Sequence, residues 1–211
     1  MTAARQTGSL LPWTIIIPVK RLDTAKTRLA RPDRADVALA MALDTVRAVR
    51  DAEVAGVVVV TDDERLAAVV TSWALTVPDE KRAGLNAALR HGALVAREQA
   101  PDRGVAALAG DVPAVRPKEV RAALALAGAH PRTVVADAAG TGTVLLTAQP
   151  GVELAPEWGE QSRLAHVRSG AVDLTDELGD QVPGLRLDVD TLADLAEART
   201  LGLGPATALL R

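Results

Sequence analysis

The chain has 211 residues, 48% of them hydrophobic and 24% charged, with a formal net charge of -3, which suits a single domain with a substantial core. The absence of cysteine excludes disulfides, thiolate metal sites and a cysteine nucleophile, and a mildly acidic chain without a basic block argues against nucleic-acid binding. No apolar run approaches the roughly 20 residues that cross a bilayer, so we expect a cytoplasmic protein with no membrane partner.

Short apolar runs, several of them β-branched, alternate with segments of helical periodicity along the chain. The runs predict strands at residues 14–19, 57–61, 105–109, 133–136, 144–148 and 185–189. Apolar residues at helical spacing predict helices near residues 39–49 and 85–95. Thr191 and Asp194 form a capping-box pattern that starts a last helix ending near Leu201. This alternation predicts an α/β fold with a largely parallel sheet covered on both faces.

The less regular segments decide the expected domain organisation. We expect one domain over residues 1–211, with residues 1–12 as a flexible N-terminus. Residues 149–184 are irregular and contain three prolines. We interpret this segment as an excursion from the sheet with an edge hairpin, which returns at Leu185.

Charged side chains follow the predicted strands. The first strand is followed by the basic residues Lys20, Arg21, Lys26 and Arg28, and the others end in the acids Asp62, Asp63, Asp111, Asp137, Asp188 and Asp190. Ligands of open α/β sheets bind beyond the carboxyl ends of the strands. One cationic loop facing several carboxylates therefore fits a polyphosphate that a divalent cation bridges to aspartates.

Each of these signals also has a plainer interpretation. The basic loop can be a solvated turn, although two of the four lysines of the chain lie within seven residues of each other there, which favours a functional role. Asp111 can cap the next helix, and either Asp188 or Asp190 can cap the last one while the other binds a metal. The sequence has neither a Walker-type phosphate loop nor a Gly-x-Gly-x-x-Gly fingerprint, so any nucleotide must be held in another way.

Two glycine-containing segments add weaker signals. Residues 140–143 (GTGT) permit close backbone approach, and their hydroxyls can donate to phosphate or carboxylate oxygens. Residues 158–162 (WGEQS) can open a helix whose N-terminus receives an anion. A plain turn and a plain helix start are the alternatives.

Together these segments resemble those of the 2-phospho-L-lactate or phosphoenolpyruvate guanylyltransferase family of coenzyme F420 biosynthesis. The similarity covers residues 15–206. It rests on residues 18–29 (PVKRLDTAKTRL), 84–89 (GLNAAL), 110–113 (GDVP), 140–143, 169–172 (SGAV) and 188–191 (DVDT). The resemblance implies a Rossmann-like nucleotidyltransferase fold, an α/β/α sandwich around a mixed, mostly parallel sheet.

The resemblance also implies roles for individual residues. The implied catalytic residues are Lys20, Lys26 and Asp111. The implied nucleotide-binding residues are Lys20, Arg21, Lys26, Arg28, Gly84, Asn86 and Gly110, with the lysines on the GTP phosphates. Mg²⁺ would be bound by Asp111, Asp188 and Asp190, and the three-carbon phosphate substrate by Thr143, Gly159 and Ser162. Because the chain lacks Phe and Tyr, we expect backbone groups near Gly84 and Asn86 to select guanine.

The expected reaction condenses GTP with phosphoenolpyruvate to enolpyruvyl-diphospho-5'-guanosine and pyrophosphate, and a downstream pathway transferase would take the product. Phosphoenolpyruvate is favoured because the Ala- and Arg-rich composition is typical of the actinobacterial members of the family, which are associated with that acceptor. Three alternatives stay open. They are 2-phospho-L-lactate as the acceptor, giving lactyl-diphospho-5'-guanosine; a nucleotidyltransferase for another acceptor; and a non-catalytic nucleotide-binding paralogue.

Overall fold

The computed structural model describes residues 11–22, 26, 29, 31–79 and 83–210, and its strands form one seven-stranded sheet. The strands are β1 (Trp13–Pro18), β2 (Gly56–Val60), β3 (Leu75–Val77), β4 (Gly104–Leu108), β5 (Arg132–Val135), β6 (Leu145–Ala148) and β7 (Val172–Asp173). They lie in the order β3-β2-β1-β4-β6-β5-β7, and within the described residues only β6 runs antiparallel to its neighbours. The predicted mixed, mostly parallel sheet is confirmed.

Helices cover both faces of this sheet. In the described ranges they are α1 (Arg34–Asp51), α2 (Glu64–Val70), α3 (Leu85–Gln99), α4 (Pro117–Ala127), α5 (Ser162–Arg168), α6 (Thr175–Leu178), α7 (Pro183–Arg186), α8 (Leu192–Leu201) and α9 (Pro205–Ala208). None of these helices combines the length and apolar character that crossing a bilayer requires.

Strand β1 lies in the middle of the sheet and is buried on both faces. Ile15 and Ile17 pack in the core cluster that holds the apolar stripe of α1 and that of α4. Ile16 packs on the opposite face, against residues of α3. All three side chains are fully buried, and burial of each contributes about 1.5–3 kcal/mol. Burial on both faces explains why this strand is a continuous apolar run in the sequence.

Two of the predictions for the C-terminal half are wrong. Residues 185–189 do not form a strand. Helix α7 covers the first two of them, because Pro183 begins a helical turn and Glu119 accepts the backbone N–H of Leu185 at 2.8 Å, and the other three belong to no strand of the sheet. The expected edge hairpin is a single strand, β7, which pairs in parallel with β5. Strand β3, which was not predicted, has only three residues and is half exposed.

The capping box at Thr191 is confirmed. The Thr191 hydroxyl accepts the backbone N–H of Asp194 at 3.2 Å, the Asp194 carboxylate accepts the N–H of Thr191 at 2.7 Å, and α8 ends at Leu201 as predicted. Helix α8 is not the last helix, because α9 follows it and is held by the buried Asp44, which accepts two backbone N–H groups at 2.7–2.9 Å. The expected single domain with a flexible segment at residues 1–12 stays a prediction, since residues 1–10 lie outside the described ranges.

Candidate functional site

A cleft of about 410 Å³ opens at the edge of the sheet where β1 and β4 end. We call it the central cleft. It is lined by Pro18, Val19, Lys20, Leu22, Lys26, Ala38, Ala42, Leu85, Leu108, Ala109, Gly110, Asp111, Thr143, Trp158, Asp188 and Asp190. Because β6 is antiparallel, its amino end lies at this same edge, and the N–H of Ala109 donates to the Val144 carbonyl at 2.8 Å. Residues far apart in the chain therefore meet in one cleft.

Gly110 lets β1 and β4 approach closely at the floor of the cleft. A Cβ atom at this position would lie 2.8 Å from the Pro18 carbonyl oxygen, which no side chain tolerates without a backbone shift. The predicted nucleotide-binding glycine thus has a structural reason, and it brings Asp111 directly beside the loop that follows β1.

Lys26 and two aspartates form the charged centre of the cleft. The Lys26 ammonium donates to the Asp111 carboxylate and, at 2.8 Å, to Asp190 Oδ1. Its side chain is only 9% exposed. Burial lowers the pKa of Lys26, but the two carboxylates raise it by more, so the ammonium stays charged. Two carboxylates from different parts of the chain therefore converge on one cation.

The segment that carries Asp188 and Asp190 is fixed at both ends. Upstream, Glu119 accepts the N–H of Leu185, and the N–H of Val189 donates to the Asp111 carbonyl at 3.0 Å. Downstream, the Asp194 carboxylate accepts the N–H of Asp190 at 2.9 Å. Neither Asp188 nor Asp190 caps α8, because Thr191 does, and Asp111 does not cap α4, whose N-cap is Arg116. None of these three aspartates is therefore a helix cap, and all three line the central cleft.

Asp188 is strongly affected by this crowding. Burial raises its pKa to about 6, with further contributions from the charges of Asp111 and Asp137. Carboxylates that repel one another in this way are stabilised by a cation. Lys26 supplies such a charge to Asp111 and Asp190, the neighbours of Asp188 in the cleft.

The donor set fits a hard divalent cation, although it is not preassembled. The carboxylates of Asp111 and Asp190 already share a cation, and Mg²⁺ is held in many sites by one or two carboxylates together with substrate phosphates. No group of three or more His, Asp or Glu side chains is arranged as a complete metal site in the described part of the chain. A metal here would thus need oxygens from a bound ligand.

The GTGT loop is organised by Asp137, the acid that follows β5. Its two carboxylate oxygens accept the N–H groups of Thr141 and Gly142, each at 3.0 Å. A Cβ atom on Gly142 would lie 2.3 Å from that carboxylate, so only glycine fits. The loop places Thr143 in the lining of the central cleft.

Thr143 is held from behind by two aromatic side chains. Trp158 Nε1–H donates to the Thr143 carbonyl at 2.8 Å, and His166 Nδ1 lies 2.9 Å from Thr143 Oγ1. The rings of Trp158 and His166 pack edge to face, with centroids 5.0 Å apart. Trp158 itself lines the cleft.

Asn86 has a different contact from the one that the sequence predicted. Its side-chain amide donates to the Trp158 carbonyl at 2.9 Å and accepts the Trp158 N–H at 2.7 Å. The amide therefore fixes the backbone that carries Trp158, across 72 positions of sequence. Its predicted contact with guanosine stays a prediction.

A smaller cavity of about 200 Å³, the side pocket, adjoins the central cleft. It is lined by Pro18, Val19, Lys20, Arg21, Val60, Asp62, Asp79, Gly84, Leu85 and Ala88. Lys20 therefore borders both cavities. Gly84 is the N-cap of α3, with φ +93°, where a glycine is favoured. Asp62 accepts the Asp79 N–H at 2.9 Å, whereas the Asp79 carboxylate makes no hydrogen bond within the described residues.

The structure brings together most of the residues predicted for the site. Lys20, Lys26, Gly110, Asp111, Thr143, Asp188 and Asp190 line the central cleft, and Arg21 and Gly84 line the side pocket. Gly159 is exposed and Ser162 is buried at the start of α5, and in the described residues neither lines the cleft. Arg28 lies outside the described residues. Trp158 was noted only as part of the segment 158–162, as a helix start, and no role was predicted for His166 or Asp79, which have no local signal in the sequence.

Comparisons with known proteins agree with this architecture. Residues 13–207 match the sequence model of the guanylyl transferase CofC-like family. A phosphoenolpyruvate guanylyltransferase of Salinispora arenicola is 52% identical over 206 residues, which cover 94% of this chain and 92% of that one.

Solved structures share the fold at low identity. A nucleotidyl transferase from Methanothermobacter superposes with a TM-score of 0.60 at 19% identity, covering 91% and 97% of the two chains. Rv0371c of Mycobacterium tuberculosis, crystallised as a complex with manganese, gives a TM-score of 0.52 at 23% identity, with 90% and 98% covered.

Proposed function

Because the chain belongs to the CofC-like guanylyl transferase family, we propose that it transfers the guanylyl group of GTP to phosphoenolpyruvate, releasing pyrophosphate. The product would be enolpyruvyl-diphospho-5'-guanosine. The observation that supports this best is the charged centre of the central cleft, where one buried lysine and two aspartates meet at the carboxyl edge of the sheet. The name of the Salinispora relative supports the acceptor.

The chemistry of the reaction explains why charge dominates this cleft. An oxygen of the acceptor phosphate attacks the α-phosphorus of GTP and forms a new P–O bond, while the bond to the bridging oxygen breaks and pyrophosphate leaves with that electron pair. The acceptor phosphate is ionised near neutral pH, so the attack needs no general base. The difficulty is to bring two anions together, and positioned cations overcome it.

Within the cleft, Lys26 would exchange its two carboxylate partners for phosphate oxygens. Asp111 and Asp190, with Asp188 beside them, would then hold a divalent cation, for which Mg²⁺ is the natural choice with oxygen ligands and a nucleotide. When bound, the cation neutralises charge on the reacting phosphates. The manganese complex of Rv0371c is consistent with use of a divalent metal on this fold.

Thr143 would contact the acceptor from the opposite wall. Replacing Thr143 with alanine should raise the KM for the acceptor by about 10-fold or more, because a hydrogen bond to a charged group contributes about 1.5–3 kcal/mol. The KM for GTP should stay within about threefold. Steady-state kinetics with each substrate varied in turn measures both constants, and equal increases in the two would contradict this role for Thr143.

The side pocket would hold guanine. Guanine presents N1–H and N2–H₂ donors, and the Asp79 carboxylate is an acceptor with no partner in the described residues. Adenine has an acceptor at N1, which this carboxylate would repel. Backbone groups near Gly84 would add the contacts expected from the sequence.

Replacing Asp79 with alanine should therefore lower kcat/KM for GTP about 10- to 100-fold while the KM for the acceptor stays unchanged. Inosine triphosphate, which lacks the N2 amino group, is the matched control. The unmodified protein should prefer GTP to inosine triphosphate, and the variant should lose most of that preference. A variant that keeps the full preference would exclude Asp79 from base selection.

The test of the proposed function is pyrophosphate release in the presence of Mg²⁺, with the product identified by mass. GTP with phosphoenolpyruvate should give turnover, and GTP with 2-phospho-L-lactate should give much less. The two acceptors differ by two hydrogens, which is within the roughly 1–3 kcal/mol that a small pocket discriminates. Turnover with phospholactate alone would keep guanylyl transfer and change the acceptor.

The same assay separates the other candidates. Turnover with ATP, CTP or UTP, or with a different phosphorylated acceptor, would indicate a nucleotidyltransferase of another specificity. GTP binding measured by calorimetry, together with no turnover for any acceptor, would indicate a non-catalytic paralogue. The convergence of Lys26, Asp111 and Asp190 favours a catalytic protein over that last candidate.

A further inference from the structure

His166 is a buried titratable side chain to which the proposed reaction gives no role. It lies on α5 and is 0% exposed, so no substrate in the central cleft can touch it. Both of its ring nitrogens are nevertheless hydrogen bonded. Nε2 accepts the backbone N–H of Glu157 at 2.8 Å, and Nδ1 lies 2.9 Å from the hydroxyl oxygen of Thr143.

These two contacts fix the tautomer of the ring. The Glu157 amide can only donate, so His166 Nε2 must carry a lone pair, and the proton of the neutral ring must be on Nδ1. Nδ1–H therefore points to Thr143 Oγ1, and the backbone of Ser162, one turn earlier on α5, is a second hydrogen-bond partner of the ring. Because Nδ1 carries the proton, it cannot accept the Thr143 hydroxyl hydrogen. Burial lowers the pKa of His166 to about 4, with a smaller contribution from the Arg132 charge, so the ring is neutral near pH 7.

A hydroxyl that accepts a hydrogen bond from one side keeps its own hydrogen for the other side. Thr143 is 6% exposed and lines the central cleft, and its hydroxyl hydrogen has no partner in the described residues. The Trp158 indole N–H donates to the Thr143 carbonyl at 2.8 Å, which holds the backbone of Thr143 in place. Donation from His166 also polarises the Thr143 O–H and strengthens it as a donor.

We propose that His166 is a positioning residue that fixes the Thr143 hydroxyl as a hydrogen-bond donor to an anionic oxygen of the acceptor substrate. This inference rests on the proposed function. It adds that the acceptor site recognises a carboxylate or phosphate oxygen, which accepts the hydrogen bond that the Thr143 hydroxyl donates. A residue of α5, His166, thus determines the hydrogen bonding of Thr143 in the cleft lining.

The first test needs no variant of the site and no activity. Nitrogen NMR of the ¹⁵N-histidine-labelled protein near pH 7 should show one ring with a protonated Nδ1 and an unprotonated Nε2. The other two histidines, His91 and His130, are assigned by replacing each with glutamine. A His166 ring protonated at Nε2, or at both nitrogens, would overturn the inference.

The second test compares two substitutions of His166, each of which replaces only one of the two hydrogen-bonding ring nitrogens. In His166→Asn the side-chain nitrogen can occupy the position of Nδ1 and still donate to Thr143. In His166→Gln the amide oxygen can reach the position of Nε2 and accept from Glu157, but the donor to Thr143 is lost. The KM for phosphoenolpyruvate should rise about 10-fold in the glutamine variant and less than threefold in the asparagine variant, with the KM for GTP unchanged in both.

A double-variant cycle separates positioning from general damage to the fold. In the Thr143→Ala background, His166→Gln should raise the acceptor KM no further, because the hydroxyl through which it acts is gone. Equal losses in the two His166 variants, or effects that multiply with Thr143→Ala, would refute the inference and leave guanylyl transfer intact. Absence of turnover in the unmodified protein with every acceptor would instead overturn the proposed function and this inference with it.

Discussion

Replacing Asp111 with asparagine is expected to lower kcat for guanylyl transfer by about 10³-fold or more, equivalent to about 4 kcal/mol. Asp111 contacts Lys26 and is also the charged neighbour that raises the pKa of Asp188 most. The amide keeps the shape of the carboxylate but removes the charge that a divalent cation requires. The backbone contact from Val189 to the Asp111 carbonyl is unaffected by the change, so the fold should persist.

The measurement is kcat with saturating GTP and phosphoenolpyruvate over a wide range of Mg²⁺ concentration. Excess Mg²⁺ should not restore the kcat of the variant. Asp102→Asn is the matched control, because this exposed aspartate lies before β4, at the opposite edge of the sheet from the cleft. The control should retain the full rate. A kcat for Asp111→Asn within tenfold of the unmodified protein would remove Asp111 from the reaction centre.

Replacing Lys26 with alanine is expected to lower kcat by about 10²–10³-fold, the effect typical of removing one preorganised donor to a transition-state charge. The ammonium is buried and held by Asp111 and Asp190, so these contacts fix its position in the cleft. We expect it to move from these carboxylates to the triphosphate when GTP and a metal bind. The loss should therefore fall more on kcat than on the KM for GTP.

Lys118→Ala is the control for this variant, since that lysine is exposed on α4, away from the central cleft. Urea unfolding of both variants at pH 7 checks that the fold is retained. Loss of Lys26 leaves Asp111 and Asp190 without the ammonium that they share, so the free energy of unfolding of the variant should rise when Mg²⁺ is added. Full activity of Lys26→Ala would show that the lysine only neutralises the carboxylates.

Local sequence patterns were sufficient to predict five of the seven strands of the sheet. The run over β1 and the runs over β2, β4, β5 and β6 are apolar because those strands are buried, and each was predicted within one or two residues. The capping box at Thr191 and the glycine at position 142 depend on neighbours within five positions of sequence, whereas the glycine at position 110 is required by the distant Pro18 carbonyl. The acids at the strand ends then followed from the topology of an open α/β sheet.

The features that local sequence patterns did not predict depend on contacts between residues far apart in the chain. Residues 185–189 look like a strand, but Pro183 begins a helical turn there and the distant Glu119 accepts the backbone N–H of Leu185. The nucleotide role of Asn86 came from the family resemblance and stays a prediction, whereas its bond to Trp158 spans 72 positions and has no local signal in the sequence. His166 carries no motif at all, and only its contact with Thr143 reveals it.

We propose that the carboxylates that hold the Lys26 ammonium form the metal and phosphate site of guanylyl transfer. A crystal structure with Mn²⁺, a non-hydrolysable GTP analogue and phosphoenolpyruvate tests it most directly, because the anomalous signal of manganese locates the ion without ambiguity. We predict a peak bonded to Asp111 and Asp190, with Lys26 moved onto the triphosphate and guanine in the side pocket. A manganese peak elsewhere, with Lys26 still paired to both aspartates beside bound nucleotide, would contradict the account.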